Sequence, residues 1–194
     1  MASIGIHRDI LHQLTGIPLP TLRDLTERLR RCDPPLVSRG VQGPHAPDVP
    51  APEIINLLIA AAIGGSVGRT LPDQCALVRS VRAGRRLEVR GAEVLRGLLI
   101  ERAATAGEAL DGLLEDMRAG HCVAWPADAP TAQIKAVRFV DRGRLTIFNF
   151  ERGSQTATVV FRNDDVEGSL FLRHSAEVDG FVFERIAGAL TRPN

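Results

Sequence analysis

The segment RDILHQLTGIPLPTLRDLTERLRR, residues 8–31, decides how the N-terminal part of this chain folds. Its first half repeats apolar residues on one face of a helix: Ile10, Leu11 and Leu14. Gly16 then ends that helix, because glycine adopts a left-handed backbone without steric cost. Pro20 suits the first turn of a second helix, where its missing N–H is no loss. The segment therefore predicts two helices joined by a tight turn.

The second helix carries an apolar stripe with the spacing i, i+3, i+7, formed by Leu22, Leu25 and Leu29. A helix, a glycine-containing turn and a second amphipathic helix resemble a helix-turn-helix. The residues that carry the resemblance are Leu11, Gly16, Ile17, Thr21, Leu22 and Leu25. An ordinary hairpin of two helices shows the same pattern, so the chain leaves both interpretations open.

The family that the segment resembles is the winged helix-turn-helix group of DNA-binding proteins, notably regulators of prophages and mobile elements. The resemblance implies that the second helix enters the major groove of duplex DNA. On that mapping, Arg23 would read guanine, and Thr21 would contact a phosphate or a thymine methyl group. The implied DNA-binding residues are Leu19, Thr21, Arg23, Asp24, Arg28, Arg31 and Arg39.

Arg39 lies in the segment that follows the second helix. There, Leu36-Val37 and Val41 flank Ser38-Arg39-Gly40, which is consistent with a short β-hairpin that has a basic tip. In a winged helix-turn-helix this hairpin would be the wing, and Arg39 would contact the DNA backbone. An irregular, proline-rich linker explains the same residues equally well.

The segment IINLLIAAAI, residues 54–63, is apolar on nearly all sides of a helix, which predicts burial. It either completes the N-terminal core or forms half of a dimer interface. We expect a homodimer, because a small domain rarely covers such a helix alone and because DNA readers of this type pair on two half-sites.

We expect the chain to divide into a winged helix-turn-helix domain (1–65), a helical connecting region (66–120) and an α+β module (121–194). In the connecting region, Thr105 and Glu108 have capping-box spacing at the start of a helix. An excess of arginine there favours a solvated helix face over a second phosphate-contacting surface.

The C-terminal module contains all seven phenylalanines of the chain. Its strand-like segments are 136–140, 144–150, 156–161 and 169–172, and Ser175 is expected to cap a closing helix. The predicted fold class is therefore α+β, with an N-terminal, mainly helical winged helix-turn-helix and a C-terminal antiparallel sheet that has a helix packed on one face. We expect the module to contact another protein or to pair subunits.

Composition sets wider limits on the class of protein. The net charge is +1, so no overall field draws the chain to nucleic acid or to a membrane. The three cysteines, Cys32, Cys75 and Cys122, are odd in number and far apart, which suggests a reducing compartment rather than a disulfide framework. Without a recognisable signal peptide or a membrane-length apolar run, the expected location is cytoplasmic.

Catalytic motifs are missing from the sequence. Gly64, Ser66 and Gly68 match the spacing of a hydrolase nucleophile motif, but a strand must precede that motif, and residues 60–62 indicate a helix. His121 and Cys122 are adjacent, which suits no common zinc geometry. We therefore expect no enzyme, no cofactor and no metal.

The sequence thus favours a DNA-binding protein that acts on double-stranded DNA, specifically a transcriptional regulator of phage or mobile-element type. Two alternatives remain open. In one, the protein is a phage DNA-packaging or assembly component. In the other, the helical hairpin is a protein-interaction module, and no nucleic acid is involved.

Overall fold

The structure, a computed structural model, describes residues 4–38, 50–64, 71–124, 131–140, 144–164 and 175–191. Within these ranges it contains six α-helices: α1 (Ile4–Thr15), α2 (Leu19–Arg30), α3 (Ala51–Gly64), α4 (Leu71–Ala83), α5 (Ala106–Arg118) and α6 (Gly180–Thr191). The strands are β1 (Arg85–Arg90), β2 (Cys122–Val123), β3 (Ala132–Val140), β4 (Leu145–Arg152), β5 (Gln155–Arg162) and β6 (Ala176–Asp179). Two short 3-10 helices, Ala92–Leu95 and Leu99–Glu101, connect β1 to α5. The predicted α+β class is confirmed.

The strands form one six-stranded sheet in the order β1-β5-β4-β3-β2, with β6 also paired to β3. The expected strands at 136–140, 144–150 and 156–161 are confirmed, whereas 169–172 lies outside the described residues. The expectation of a purely antiparallel sheet is wrong, because β2 runs parallel to β3. A strand of two residues is too short to show the alternation by which a sequence reveals strands.

Strand β1 corrects the helical interpretation of the connecting region. Residues 85–90 pair antiparallel with β5, with a bulge between Arg86 and Glu88. Arg86 stands opposite Phe161 on the inner side of the sheet, and its guanidinium donates to the carbonyl oxygens of Ile100 at 2.8 Å and Glu101 at 2.9 Å. Because an arginine stands at an inward position, the strand lacks the apolar alternation by which a sequence predicts strands. The sheet therefore draws one edge strand from before residue 121, and the three-part division of the chain stays a prediction.

The C-terminal helix begins later than expected. Ser175 does not cap it, because residues 176–179 form β6, and α6 starts at Gly180. Asp179 takes the capping position instead, since its Oδ1 accepts a hydrogen bond from the backbone N–H of Phe181 at 2.8 Å. A Cβ atom at Gly180 would lie 2.2 Å from the carbonyl oxygen of Ile134, so only glycine fits this close approach.

Helix α3 is the centre of the helical layer. All residues from Ile54 to Ala60 are buried within the single chain, and the helix contacts α1, α2, α4, α5 and β6. It completes a core, so its apolar surface no longer gives a reason to expect a dimer. The buried side chains of helices and sheet form one continuous cluster, whose largest members include Phe139, Phe148, Phe150, Phe161 and Phe183.

A disulfide joins Cys32, just after α2, to Cys75 of α4, with a Cα–Cα distance of 5.8 Å. The expectation that the cysteines form no disulfide is therefore wrong. The two residues are 43 positions apart, and only the packing of α2 beside α4 brings them together. Because disulfides are typical of oxidising compartments, the cysteine argument for a cytoplasmic location is removed, and that location stays a prediction.

Candidate nucleic-acid interface

The turn between α1 and α2 is closed by several hydrogen bonds. Gly16 has a φ of +71°, and its N–H donates to the carbonyl oxygen of His12 at 2.9 Å. Nδ1 of His12 lies 2.8 Å from the carbonyl oxygen of Ile17, and the hydroxyl of Thr15 donates to the carbonyl oxygen of Leu11 at 2.5 Å. The prediction of two helices joined by a tight turn is confirmed, and the turn fixes how α2 is presented.

Helix α2 has a buried face and a solvent face. Leu22, Leu25 and Leu29 are buried, as the stripe predicts, and α2 contacts α1, α3 and α4. Thr26 is buried beside them, and its hydroxyl donates to the carbonyl oxygen of Leu22 at 2.7 Å. Because these contacts hold one side of α2, the residues of the other side are presented to solvent in a fixed arrangement.

The structure brings six of the seven expected DNA-binding residues together on this solvent face or at its end. Thr21, Arg23, Asp24 and Arg31 are exposed, and Leu19 and Arg28 are partly exposed. Arg39 lies outside the described residues. The solvent face of α2 comprises Leu19, Thr21, Arg23, Asp24, Glu27, Arg28, Arg30 and Arg31.

The charges on this face fall into two groups. Nε of Arg28 lies 2.7 Å from Oδ2 of Asp24, and Nη1 of Arg30 lies 2.6 Å from Oε1 of Glu27. Arg23 and Arg31 form no ion pair with any residue in the described ranges. Their guanidinium groups therefore remain available to an anion from solution.

Arg8 of α1 adds to the positive charge beside the solvent face of α2, although no sequence pattern singles it out. Its pKa is lowered by partial burial and by the neighbouring charges of Arg23 and Arg30, which Asp9 and Glu27 partly offset. Guanidinium groups from both helices therefore lie close enough to repel one another. Only the packing of α1 against α2 reveals this cluster.

The expected wing is not formed by its first residues. Leu36 and Val37 are in a bend rather than a strand, and Val37 is buried in the core. The carbonyl oxygen of Leu36 accepts a hydrogen bond from the side chain of Asn56 at 2.7 Å, which ties the segment to α3. Leu36 and Val37 therefore contact the core and α3 instead of forming the first strand of a hairpin. Residues 39–41, the proposed tip and second arm, lie outside the described ranges.

One group of titratable side chains lies near the end of α5. The carboxylate of Asp116 is buried and accepts a hydrogen bond from the N–H of Leu99 at 2.8 Å, while Nδ1 of His121 lies 3.6 Å from its other oxygen. Burial raises the pKa of the Cys122 thiol to about 12, so this thiol is not a nucleophile at neutral pH. The described residues contain no group of three or more His, Cys, Asp or Glu side chains that would hold a metal ion.

Comparisons with protein-family models, with curated proteins and with solved structures give no significant match to this chain. None of the described helices is long and apolar enough to cross a membrane.

Proposed function

We propose that the protein binds duplex DNA through the solvent face of α2 and acts as a sequence-specific transcriptional regulator. The observation that carries the proposal is the position of Arg23. This arginine is exposed on a helix whose opposite face is buried in the core, it forms no ion pair among the described residues, and the charge of Arg8 lies close to it.

The local charge supports the proposal. Residues 4–31 contain five arginines and three carboxylates, a net charge of +2, whereas the whole chain carries +1. The helical hairpin therefore carries a net positive charge, as the arginine-rich segment 69–102 also does. A protein that neutralises phosphates with such side chains releases counterions from DNA, which favours binding at low salt.

The roles of the individual side chains follow from their pairing. Arg23 is free to bind the O6 and N7 atoms of guanine or a phosphate oxygen. Arg31, which also forms no ion pair among the described residues, lies at the C-terminal end of α2, and we expect it to contact the DNA backbone. Arg28 must first give up its contact with Asp24, so we assign it a smaller contribution.

A protein-interaction module is the second candidate function, and the ion pairs Arg28–Asp24 and Arg30–Glu27 favour it. These ion pairs neutralise two of the four arginines on the solvent face of α2 that could contact DNA. A partner protein tolerates such a mixed surface, whereas a phosphate backbone is repelled by the carboxylates.

Fluorescence anisotropy with a labelled, random-sequence duplex tests the proposal. We expect the full chain to bind and its Kd to rise steeply between about 50 and about 200 mM salt. Arg23→Ala should reduce the salt dependence by about one counterion. Arg118→Ala is the matched control, because Arg118 is an exposed arginine at the end of α5 that pairs with Glu115. Absence of salt-dependent binding at the lowest salt would favour the protein-interaction module.

Two further expectations belong to the same proposal. Regulators with one reading helix per chain pair on two half-sites, so the protein should be a dimer when it binds DNA. It must also share a compartment with its DNA, which is why the cytoplasmic location is retained as part of the proposal. Capture of genomic fragments followed by footprinting would identify the operator.

A further inference from the structure

The charged side chains of α2 follow a definite order around the helix. The direction that points into the core is given by its four buried residues, Leu22, Leu25, Thr26 and Leu29. At about 100° per residue, Asp24 and Glu27 lie within about 30° of the opposite direction. Arg23 and Arg30 lie about 70–90° from it on one side, and Arg28 lies about 70° from it on the other. Over the middle turns of α2, the centre of the solvent face is therefore acidic and its flanks are basic.

The exposure of the paired side chains agrees with this order. The side chains of Asp24 and Glu27 are 59% and 51% exposed, whereas those of their partners Arg28 and Arg30 are 39% and 13% exposed. Arg30 also donates from Nε to the carbonyl oxygen of Ser38 at 3.2 Å, which holds it against the side of the helix. The two carboxylates therefore stand further into solvent than the arginines that pair with them.

This order has a consequence for a helix in the major groove, which is the binding mode of the proposed function and on which the inference rests. The side of the helix opposite its core faces the base edges, and the two flanks face the phosphate backbones. Arg23 and Arg28, on opposite flanks, would meet different DNA strands. Asp24 would meet the base edges, because it lies in the N-terminal half of α2, the part of such a helix that reads bases.

A carboxylate at that position distinguishes the four bases by their donors. It accepts hydrogen bonds and donates none. Guanine presents two acceptors in the major groove, thymine presents an acceptor and a methyl group, and adenine places the acceptor N7 beside its N6 amino group. Cytosine presents the N4 amino group as a donor and has no acceptor there. A carboxylate that faces the base edges is therefore best satisfied by cytosine.

We propose that Asp24 is the specificity-determining residue of the solvent face of α2, and that its carboxylate accepts a hydrogen bond from the N4 amino group of a cytosine. Arg28 is a positioning residue, because its Nε lies 2.7 Å from Oδ2 of Asp24 and leaves other acceptor positions of the carboxylate to the base. At other sequences the carboxylate faces acceptor atoms and phosphates, which lowers the affinity. In this arrangement the ion pair raises selectivity instead of preventing DNA binding.

Selection of binding sites from a random-sequence duplex library tests the proposal with the full chain. We expect the wild type to select a cytosine at one position where Asp24→Asn selects adenine, because an asparagine amide pairs with both N6 and N7 of adenine. By anisotropy, the wild type should bind the cytosine duplex at least about 5-fold more tightly than the adenine duplex, and the variant should reverse this order. A merely structural role of Asp24 would not change the preferred base.

Glu115→Gln is the matched control. Glu115 is an exposed carboxylate of α5 that pairs with Arg118 at 2.9 Å, so this variant loses the same charge and the same kind of ion pair away from α2. It should select the same site as the wild type. On random duplex, the salt dependence of Asp24→Asn should be steeper by about one counterion, since Arg28 no longer has a charged partner at position 24. The control should show the wild-type salt dependence.

Three results would overturn the inference while the proposed DNA binding stands. The first is a selected wild-type site without an invariant cytosine. The second is an Asp24→Asn variant that selects the wild-type sequence. The third is an equal change in affinity for all sequences, which would give Asp24 no part in base recognition. A wild type that binds no duplex, even at the lowest salt, would overturn the proposed function together with the inference.

Discussion

The solvent face of α2 and the outer sheet face, which is the side of the sheet that carries Arg138 and Ile147, each carry several arginines. The two surfaces differ in how many of these arginines form ion pairs with carboxylates. On α2, Arg23 and Arg31 form no ion pair among the described residues. On the sheet, Arg138 is held 2.5 Å from Glu177, beside an aliphatic centre. The two surfaces therefore differ in how many of their arginines are already paired with a carboxylate.

The physical reason is the cost of exchanging partners. An unpaired guanidinium loses only water and counterions when a phosphate approaches. A paired one must also leave its carboxylate, which then stays near the phosphate and repels it. On this argument, the solvent face of α2 is better suited than the outer sheet face to bind a nucleic acid.

The largest effect should come from the core that supports both surfaces. Phe148 is fully buried, and its ring centroid lies 5.6 Å from that of Phe161. Phe148→Ala should lower the free energy of unfolding by about 3–5 kcal/mol. Urea unfolding followed by circular dichroism measures this loss. Ile147→Ala, one residue along the same strand but on the outer face, should cost much less.

Unfolding of the Phe148→Ala variant also shows whether the two surfaces share one cooperative unit. A single transition is expected, since helices and sheet form one buried cluster. Two transitions, with only one shifted by the substitution, would mean that the helical hairpin and the sheet are independent, and the comparison would then concern two separate domains.

The disulfide should give the next largest effect, because it ties the end of α2 to α4. Replacing both Cys32 and Cys75 by Ser should destabilise the protein by about 2–4 kcal/mol, as expected for a closed loop of this length. Thermal unfolding with and without a reductant checks this. The reductant should lower the Tm of the wild type and leave the double variant unchanged. Two reactive thiols at these positions in the native protein would contradict the assignment.

The features that could be predicted from the sequence are those that depend on residues close together in the chain. Gly16, the leucine stripe of α2 and the capping box of Thr105 and Glu108 are decided by neighbours within a few residues, and all are confirmed. In the capping box, the N–H of Glu108 donates to the hydroxyl of Thr105 at 3.2 Å. Such patterns can be recognised in the sequence because each of these features depends on residues that are close together in the chain.

The features that the sequence did not reveal depend on distant parts of the chain. Arg86 can occupy an inward position in β1 because carbonyl oxygens of the 3-10 helix Leu99–Glu101 accept hydrogen bonds from its guanidinium. A charged residue at that position breaks the apolar alternation by which the sequence would have predicted a strand. Arg8 becomes part of the candidate site only when α1 packs on α2. The Cys32–Cys75 disulfide needs α2 and α4 side by side. None of these contacts leaves a periodic trace in the sequence.

The solvent face of α2 can be divided more finely by comparing two arginines. Arg23→Ala should weaken binding to a specific site by about 1–3 kcal/mol if Arg23 reads a base. Arg28→Ala should cost less, because Arg28 is paired with Asp24. Anisotropy on the footprinted site and on random duplex separates the roles. An equal loss for Arg23→Ala on both duplexes would make it a phosphate contact.

The smallest effect concerns Asp116, which lies away from both surfaces. Burial raises the pKa of its carboxyl group above the ordinary value of 3.8 in the folded protein. The folded state therefore binds this proton more tightly than the unfolded state does. The resulting stability is complete at low pH and is lost as the pH rises through the raised pKa.

Asp116→Asn should remove this component of the pH dependence. The free energy of unfolding, measured from about pH 4 to about pH 7, should decline less for the variant than for the wild type. DNA affinity and dimerisation should not follow this titration. If either did, Asp116 would be coupled to one of the two surfaces, and the separation between them would be incomplete.

Amide hydrogen exchange of the full chain, with and without duplex DNA at low salt, tests the division between the two surfaces most directly. We predict that DNA slows exchange in residues 19–31 and in α1 near Arg8, and that exchange in β3, β4 and β5 is unchanged. Slower exchange confined to the sheet, with no change in α2, would contradict the account.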